Sequence, residues 1–252
     1  MMRTIMGFAA AAAAGMTVAS AGAAAPAGLT IPAAVADPSR PEADRALDAA
    51  RHPAELLAFL HVHAGETIAD VWPGDYWDRL FGAVVGPKGK VYAVHLPEAD
   101  TAEKVATPAP GSTPLPGHAN VVVAVTPTNS FTLPTKADII WIRQNYHDLY
   151  DPFMGPADVP AFNKAVFQAL KPGRRFVVID HVAPAGSKLA ATNTTHRIDP
   201  AVVKADMAAA GFSFVGESDV LRNPADDHSA KVFDPAIRGH TDQFVYKFRK
   251  PR

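Results

Sequence analysis

The chain has 252 residues, no cysteine and a formal net charge of -1, with acidic and basic residues interspersed. The absence of cysteine excludes a disulfide framework and a thiolate nucleophile. Because the charges are balanced, the sequence has no basic patch of the kind that binds nucleic acid. The length suits one domain with a sizeable core.

Two segments precede the periodic part of the chain. A short positive start, an uncharged Ala-rich run and small residues near position 23 form the layout of a secretory signal peptide. We therefore predict a signal peptide over residues 1–23 and export, to the periplasm of a bacterium. The apolar run is too short for a comfortable membrane span, so no span is expected after cleavage. Residues 24–50 are rich in Ala and Pro without a clear period, which predicts a flexible N-terminal arm.

From residue 51 onward, helix and strand patterns alternate. Helices are expected at residues 53–62, 76–85, 159–170 and 200–210, and strands at 67–72, 90–95, 120–125, 139–142, 175–181, 212–221 and 241–248. The first strand, helix and second strand form a βαβ unit, whose crossover should be right-handed. The last strand alternates strictly between apolar and polar residues, which is typical of an antiparallel edge strand.

Two of these strands end in polar side chains. In an open α/β sheet the ligand lies outside the carboxyl ends of the strands. The site is therefore expected at this edge, with six candidate catalytic residues: Tyr146, His147 and Asp148 after the fourth strand, Asp180 and His181 at the end of the fifth, and His196 in the next loop. The alternative interpretation is structural, because such groups also cap helices and satisfy loops.

Several local sequences carry a family resemblance. They are ADVWPGDYWDRLF at 69–81, GPKGKVYAV at 86–94, NYHDLY at 145–150, ALKPGRRFVVIDH at 169–181, and a tail that includes SDVLRNPADD and RGHTDQFVYKFRKP. With the order of elements, they resemble class I S-adenosylmethionine-dependent methyltransferases. These local sequences are similar to those of a group of exported bacterial "predicted methyltransferases".

This resemblance implies a Rossmann-like α/β domain over residues 51–252. The implied sheet has seven strands, mostly parallel with an antiparallel last strand, and helices on both faces. It also implies S-adenosylmethionine as cofactor, a small-molecule substrate, and a general base at His147 or Asp148. Five residues match or stand near the family's cofactor positions: Asp70, Gly74, Tyr76, His95 and Asn145.

Departures from the family pattern keep two alternatives open. Trp72 and Tyr76 stand where the family has glycine, and His95 stands where it has an acid. One alternative is an exported binding or structural module that kept the fold and lost the cofactor. The other is a periplasmic metal-dependent enzyme, since the His and Asp residues at this edge suit zinc or iron. No tight H-x-x-H spacing is present, so no metal ligand is assigned from the sequence.

Overall fold

The computed structural model of the protein describes residues 28–252. The predicted signal peptide, residues 1–23, lies outside the described residues, and so do residues 24–27 of the predicted arm. Over the described part of the chain, every helix is too short or too polar to cross a membrane.

Seven strands and nine α-helices make up the described part of the chain. The strands are β1 (Thr67–Val71), β2 (Lys90–His95), β3 (Val121–Val125), β4 (Ala137–Arg143), β5 (Leu170–His181), β6 (Ser213–Ser218) and β7 (Gln243–Arg249). The helices are α1 (Ile31–Val35), α2 (Glu42–Arg45), α3 (Asp48–Arg51), α4 (Pro53–Leu60), α5 (Asp75–Val85), α6 (Pro97–Glu103), α7 (Val159–Ala169), α8 (Thr192–Thr195) and α9 (Pro200–Ala209). Three 3-10 helices, η1 (Thr128–Ser130), η2 (His147–Tyr150) and η3 (Pro152–Met154), complete the chain.

One sheet contains all seven strands, in the order β3-β2-β1-β4-β5-β7-β6. Neighbours among β1 to β5 pair in parallel, and β7 runs antiparallel to both β5 and β6. The predicted fold class, a mostly parallel seven-stranded sheet with an antiparallel last strand, is confirmed. The position of β7 is not the expected one, because it lies inside the sheet and β6 forms the edge. Most of β7 is buried, and the ammonium group of Lys247 donates a hydrogen bond to the carbonyl of Phe59 in α4.

Helices cover both faces of the sheet, as predicted. Alternate residues of a central strand point to opposite faces, so Ile140 of β4 packs on the side of α7 and α9. Trp141 points to the other side, where it packs against Trp77 and Phe81 of α5. Burial on both faces is the reason that β4 is apolar throughout its length.

The described part of the predicted arm differs from expectation. It forms α1 to α3 and packs on α5 instead of standing free. Asp44 accepts two hydrogen bonds from the guanidinium of Arg79, at 2.7 and 3.0 Å. Asp48 pairs with Arg40 and accepts a 2.6 Å hydrogen bond from the hydroxyl of Tyr76. The contacts to α5 join residues 28 and 35 positions apart, so the local pattern did not reveal them.

Candidate functional site

His147 lies at the centre of a polar cluster at the carboxyl ends of β4 and β5. It begins η2, and its Nδ1 lies 2.8 Å from Oδ1 of Asp180. The backbone N–H of His147 donates to the other oxygen of the same carboxylate, also at 2.8 Å. Because β4 and β5 are parallel neighbours, their carboxyl ends meet at one edge and bring these two residues together.

The opposite edge of the same imidazole faces two further groups. His147 Nε2 lies 3.1 Å from Oδ1 of Asp148 and 3.3 Å from Nδ1 of His196. The remaining separation, from His196 Nδ1 to Asp148 Oδ1, is 3.6 Å. His196 reaches the cluster because Ile198 pairs with Val182, next to the end of β5.

Two opposing effects set the pKa values in this cluster, the burial of its side chains and the attraction between the imidazole and the neighbouring carboxylates. Burial lowers the pKa of His147, but the carboxylates of Asp180 and Asp148 outweigh it and raise the pKa to about 10. Burial raises the pKa of Asp180, and the adjacent imidazolium lowers it further than burial raises it. With no ion bound, these surroundings favour the protonated imidazolium of His147, which donates hydrogen bonds to the two carboxylates.

His181 and Tyr146 occupy different surroundings from His147. Burial lowers the pKa of His181 to about 3, so its ring is neutral, and Nδ1 lies 2.7 Å from Oγ1 of Thr241. The side chain of Tyr146 is 0% exposed, and its hydroxyl donates to Asp206 and accepts from Asn163. The structure therefore places Tyr146 in the core, where its hydroxyl joins α7 to α9, and not among the groups around His147.

Three of the five cofactor candidates line a small cavity of about 210 Å³ at the end of β1: Asp70, Gly74 and Asn145. The carboxylate of Asp70 is buried, and its Oδ2 has no hydrogen-bond partner among the described residues. Burial and the nearby carboxylate of Asp78 raise its pKa well above the ordinary value. A Cβ added at Gly74 would meet no atom within 4 Å, so the backbone there is open to a ligand.

Trp72 forms one wall of this small cavity. Its φ is +63°, the left-handed conformation that glycine adopts most easily. The indole N–H donates a 2.8 Å hydrogen bond to Glu103, and the ring lies edge-on to Phe153 at 6.4 Å. The indole thus bridges from β1 to the end of α6 and narrows the cavity.

Tyr76 and His95 do not line the small cavity, so the structure does not bring all five cofactor candidates together. Tyr76 donates its hydroxyl proton to Asp48, and its ring lies 4.4 Å from the guanidinium of Arg51. His95 lies at the end of β2, with Nδ1 3.1 Å from Oδ1 of Asp100. Both side chains are therefore engaged by protein partners.

A larger cavity of about 450 Å³ lies beside the cluster, between the α2–α3 segment, the end of β4 and the tail before β7. Three arginines line it, Arg51, Arg143 and Arg238, and His181 lines it as well. None of the three guanidinium groups has a carboxylate oxygen of residues 28–252 within 4.0 Å. Sequence reasoning missed this cationic cavity, and the available signal was Arg143, which ends β4 directly before the predicted site.

Two of the comparisons with known proteins found no match, and the third found similar folds. No family model matches the chain, and no curated protein matches it. A SAM-dependent methyltransferase from Aquifex aeolicus has 18% identity and a TM-score of 0.51, covering 83% of this chain and 98% of its own. The N-methyltransferase NodS from Bradyrhizobium japonicum WM9 has 13% identity and a TM-score of 0.50, with coverage of 83% and 99%. The [4+2]-cyclase SpnF has 15% identity and a TM-score of 0.51, with coverage of 83% and 81%.

These likenesses establish a shared fold. The chain has the Rossmann-like fold of SAM-dependent methyltransferases, and a cyclase has a similar fold. Because one fold hosts different chemistries, the activity has to be argued from the site.

Proposed function

We propose that this chain is an S-adenosylmethionine-dependent methyltransferase that acts on a small anionic molecule. The observation that carries the proposal is Asp70, which ends β1 with a buried carboxylate oxygen that has no partner among the described residues. A buried acceptor left without a hydrogen bond costs about 1–3 kcal/mol. A polar group of a ligand at this strand end would remove that cost.

Asp70, Gly74 and Asn145 would hold the cofactor, since they line the cavity at the end of β1. The cofactor would supply an electrophilic methyl group. The cavity measures about 210 Å³, below the range of about 300–1,000 Å³ typical of small-molecule sites. Binding therefore requires the indole of Trp72 to leave Glu103, which opens the wall of the cavity.

The acceptor would occupy the larger cavity. Arg51 has Asp44 and Asp48 nearby, but these acids are already paired with Arg79 and Arg40. Burial lowers the pKa of Arg143 to about 10, so its guanidinium stays charged at neutral pH. Guanidinium groups bind carboxylates and phosphates in a planar, two-pronged geometry, which favours an acceptor that carries such a group.

His181 is suited to orienting the acceptor. Its ring is neutral and lines the larger cavity, while Nδ1 is held by Thr241. A neutral imidazole can accept a hydrogen bond from a hydroxyl or amine without repelling it as a cation would. Methyl transfer depends chiefly on in-line placement of the nucleophile, so positioning is the main task of these side chains.

Calorimetric titration of the chain with S-adenosylhomocysteine tests the cofactor part of the proposal. We expect micromolar binding that weakens when Asp70 is replaced by Ala, because this variant removes the buried carboxyl group that would bond the ligand. Absence of heat and of any thermal shift at millimolar ligand, in a folded sample, would retire the methyltransferase proposal.

A second candidate function is an exported binding or structural module without cofactor. The bridge from Trp72 to Glu103 favours it, because it narrows the cofactor cavity with protein contacts. The proposed export to a bacterial periplasm also favours it, since S-adenosylmethionine is made in the cytosol. Fractionation of cells that produce the full chain would test export, and recovery of the uncleaved chain in the cytosol alone would contradict it.

A further inference from the structure

We infer that His147, Asp148 and His196 form a binding site for a divalent transition-metal ion. One ligand atom from each residue lies within 4.8 Å of the other two. A tetrahedral site with bonds of about 2.0–2.1 Å has ligand atoms roughly 3.3–3.4 Å apart. The three separations, 3.1, 3.3 and 3.6 Å, bracket that value.

The ligand atoms are held in place by a second layer of hydrogen bonds. His147 uses Nδ1 to bond Asp180, which leaves Nε2 directed at the other two ligands. A carboxylate behind a histidine in this way is the usual support of a metal-bound imidazole. Asn145 donates a 3.1 Å hydrogen bond to Oδ2 of Asp148, which leaves Oδ1 directed inward.

A nearby acid supplies an independent observation. Asp151 follows η2 and is 1% exposed, and neither of its carboxylate oxygens has a hydrogen-bond partner among the described residues. It lies near the hydroxyl of Thr192 and near all three proposed ligands. Burial of an unpaired carboxylate is costly, and a divalent cation in the adjacent cluster would offset the excess negative charge.

The donor set points to a class of metal. Two imidazoles and one carboxylate suit zinc or ferrous iron, whereas calcium and magnesium prefer oxygen ligands throughout. The side chain of His196 is 25% exposed and packs edge-on against Phe233, which also lines the larger cavity. The site therefore adjoins the proposed acceptor cavity, although its metal affinity does not depend on any methyltransferase activity.

The competing explanation is a proton in place of the metal. A protonated His147 between Asp148 and Asp180 would satisfy the same short distances without any ion. Metal content and zinc affinity distinguish the two, because a proton-bonded network has no reason to bind zinc with a defined stoichiometry.

The test uses the full chain, purified without chelator and without a histidine tag. We expect close to one equivalent of transition metal by mass spectrometry, and one-to-one zinc binding by calorimetry after the metal is stripped. His196→Ala removes a partly exposed ligand and should weaken zinc binding at least tenfold, a loss of about 1.4 kcal/mol. Asp180→Asn, which replaces the charged acceptor behind His147 and leaves all three ligands in place, should weaken it about 10–100-fold.

The matched control is His63→Ala, which removes an exposed histidine that precedes β1, at the opposite end of the strands from the cluster. Its zinc affinity should equal that of the unmodified chain. Unchanged affinity in His196→Ala, or no heat from zinc at about 100 µM, would overturn the inference. S-adenosylhomocysteine binding without zinc binding would leave the methyltransferase proposal standing and remove this one alone.

Discussion

Replacement of Trp72 by glycine should open the cofactor site and tighten the binding of S-adenosylhomocysteine. In the unmodified chain the indole must leave two contacts before the cavity can widen, its hydrogen bond to Glu103 and its edge contact with Phe153. A hydrogen bond contributes about 1 kcal/mol net, and an aromatic pair about 0.5–1.5 kcal/mol. A glycine variant has neither contact to break, so its affinity should rise by roughly 10- to 60-fold.

The same substitution should leave the fold intact. Glycine relieves a left-handed conformation that costs a larger residue about 1 kcal/mol. That gain offsets part of the two lost contacts, so the free energy of unfolding should fall by no more than about 1–2 kcal/mol. Thermal denaturation would verify this before any titration.

Calorimetry of three chains makes the comparison: the unmodified protein, Trp72→Gly and Trp72→Phe. Phenylalanine keeps an aromatic ring but cannot donate to Glu103, so its affinity should lie between the other two. Equal affinities of the glycine variant and the unmodified chain would refute the idea that the indole closes the site. Weaker binding to the glycine variant would mean instead that Trp72 contacts the ligand.

Three further predictions follow from buried or charged groups. Arg143→Gln should weaken the binding of inorganic phosphate by tenfold or more, because a charged hydrogen bond contributes about 1.5–3 kcal/mol. Equal phosphate affinities of the variant and the unmodified chain, measured by calorimetry, would contradict the proposal that this cavity binds anions. Burial raises the pKa of Asp78 to about 8 in the folded state. The unfolded chain therefore loses the Asp78 proton near pH 4, whereas the folded chain keeps it until about pH 8, and the free energy of unfolding falls between these two values. Asp78→Asn should therefore show a smaller fall of unfolding free energy than the unmodified chain over that range, by about 1–5 kcal/mol in urea titrations, and parallel curves would be evidence against the shift. Tyr146→Phe leaves the amide of Asn163 without its hydrogen-bond acceptor and removes one of the two tyrosine hydroxyls that donate to Asp206. It should cost about 1–3 kcal/mol of stability and leave zinc affinity unchanged, whereas weaker zinc binding would return Tyr146 to the site.

Local patterns were enough to predict the seven strands and the four longest helices. The apolar run of β4 and the amphipathic pattern of α7 depend on neighbours two to four residues away, which a sequence displays directly. The meeting of His147 with Asp180 was also predictable, because parallel strands end at the same edge of the sheet. The metal arrangement was not, since it depends on how the chain between β5 and α9 returns to the sheet.

Two features were decided only by the tertiary structure. The N-terminal segment is ordered through Asp44 and Asp48, whose partners on α5 lie far along the chain. The side chain of Tyr146 lies in the core, where its hydroxyl donates a hydrogen bond to Asp206, 60 residues further along the chain.

The chain by itself determined its seven strands and the edge at which the polar residues gather, because secondary structure and strand direction follow from short-range periodicity and parallel pairing. Only the tertiary structure decided which of those side chains face one another. It brought His196 to His147 and placed Arg51 and Arg143 around one cavity. Such contacts depend on the course that the long loops take over the sheet. That course is set by packing between residues far apart in the sequence, which a local sequence pattern does not show.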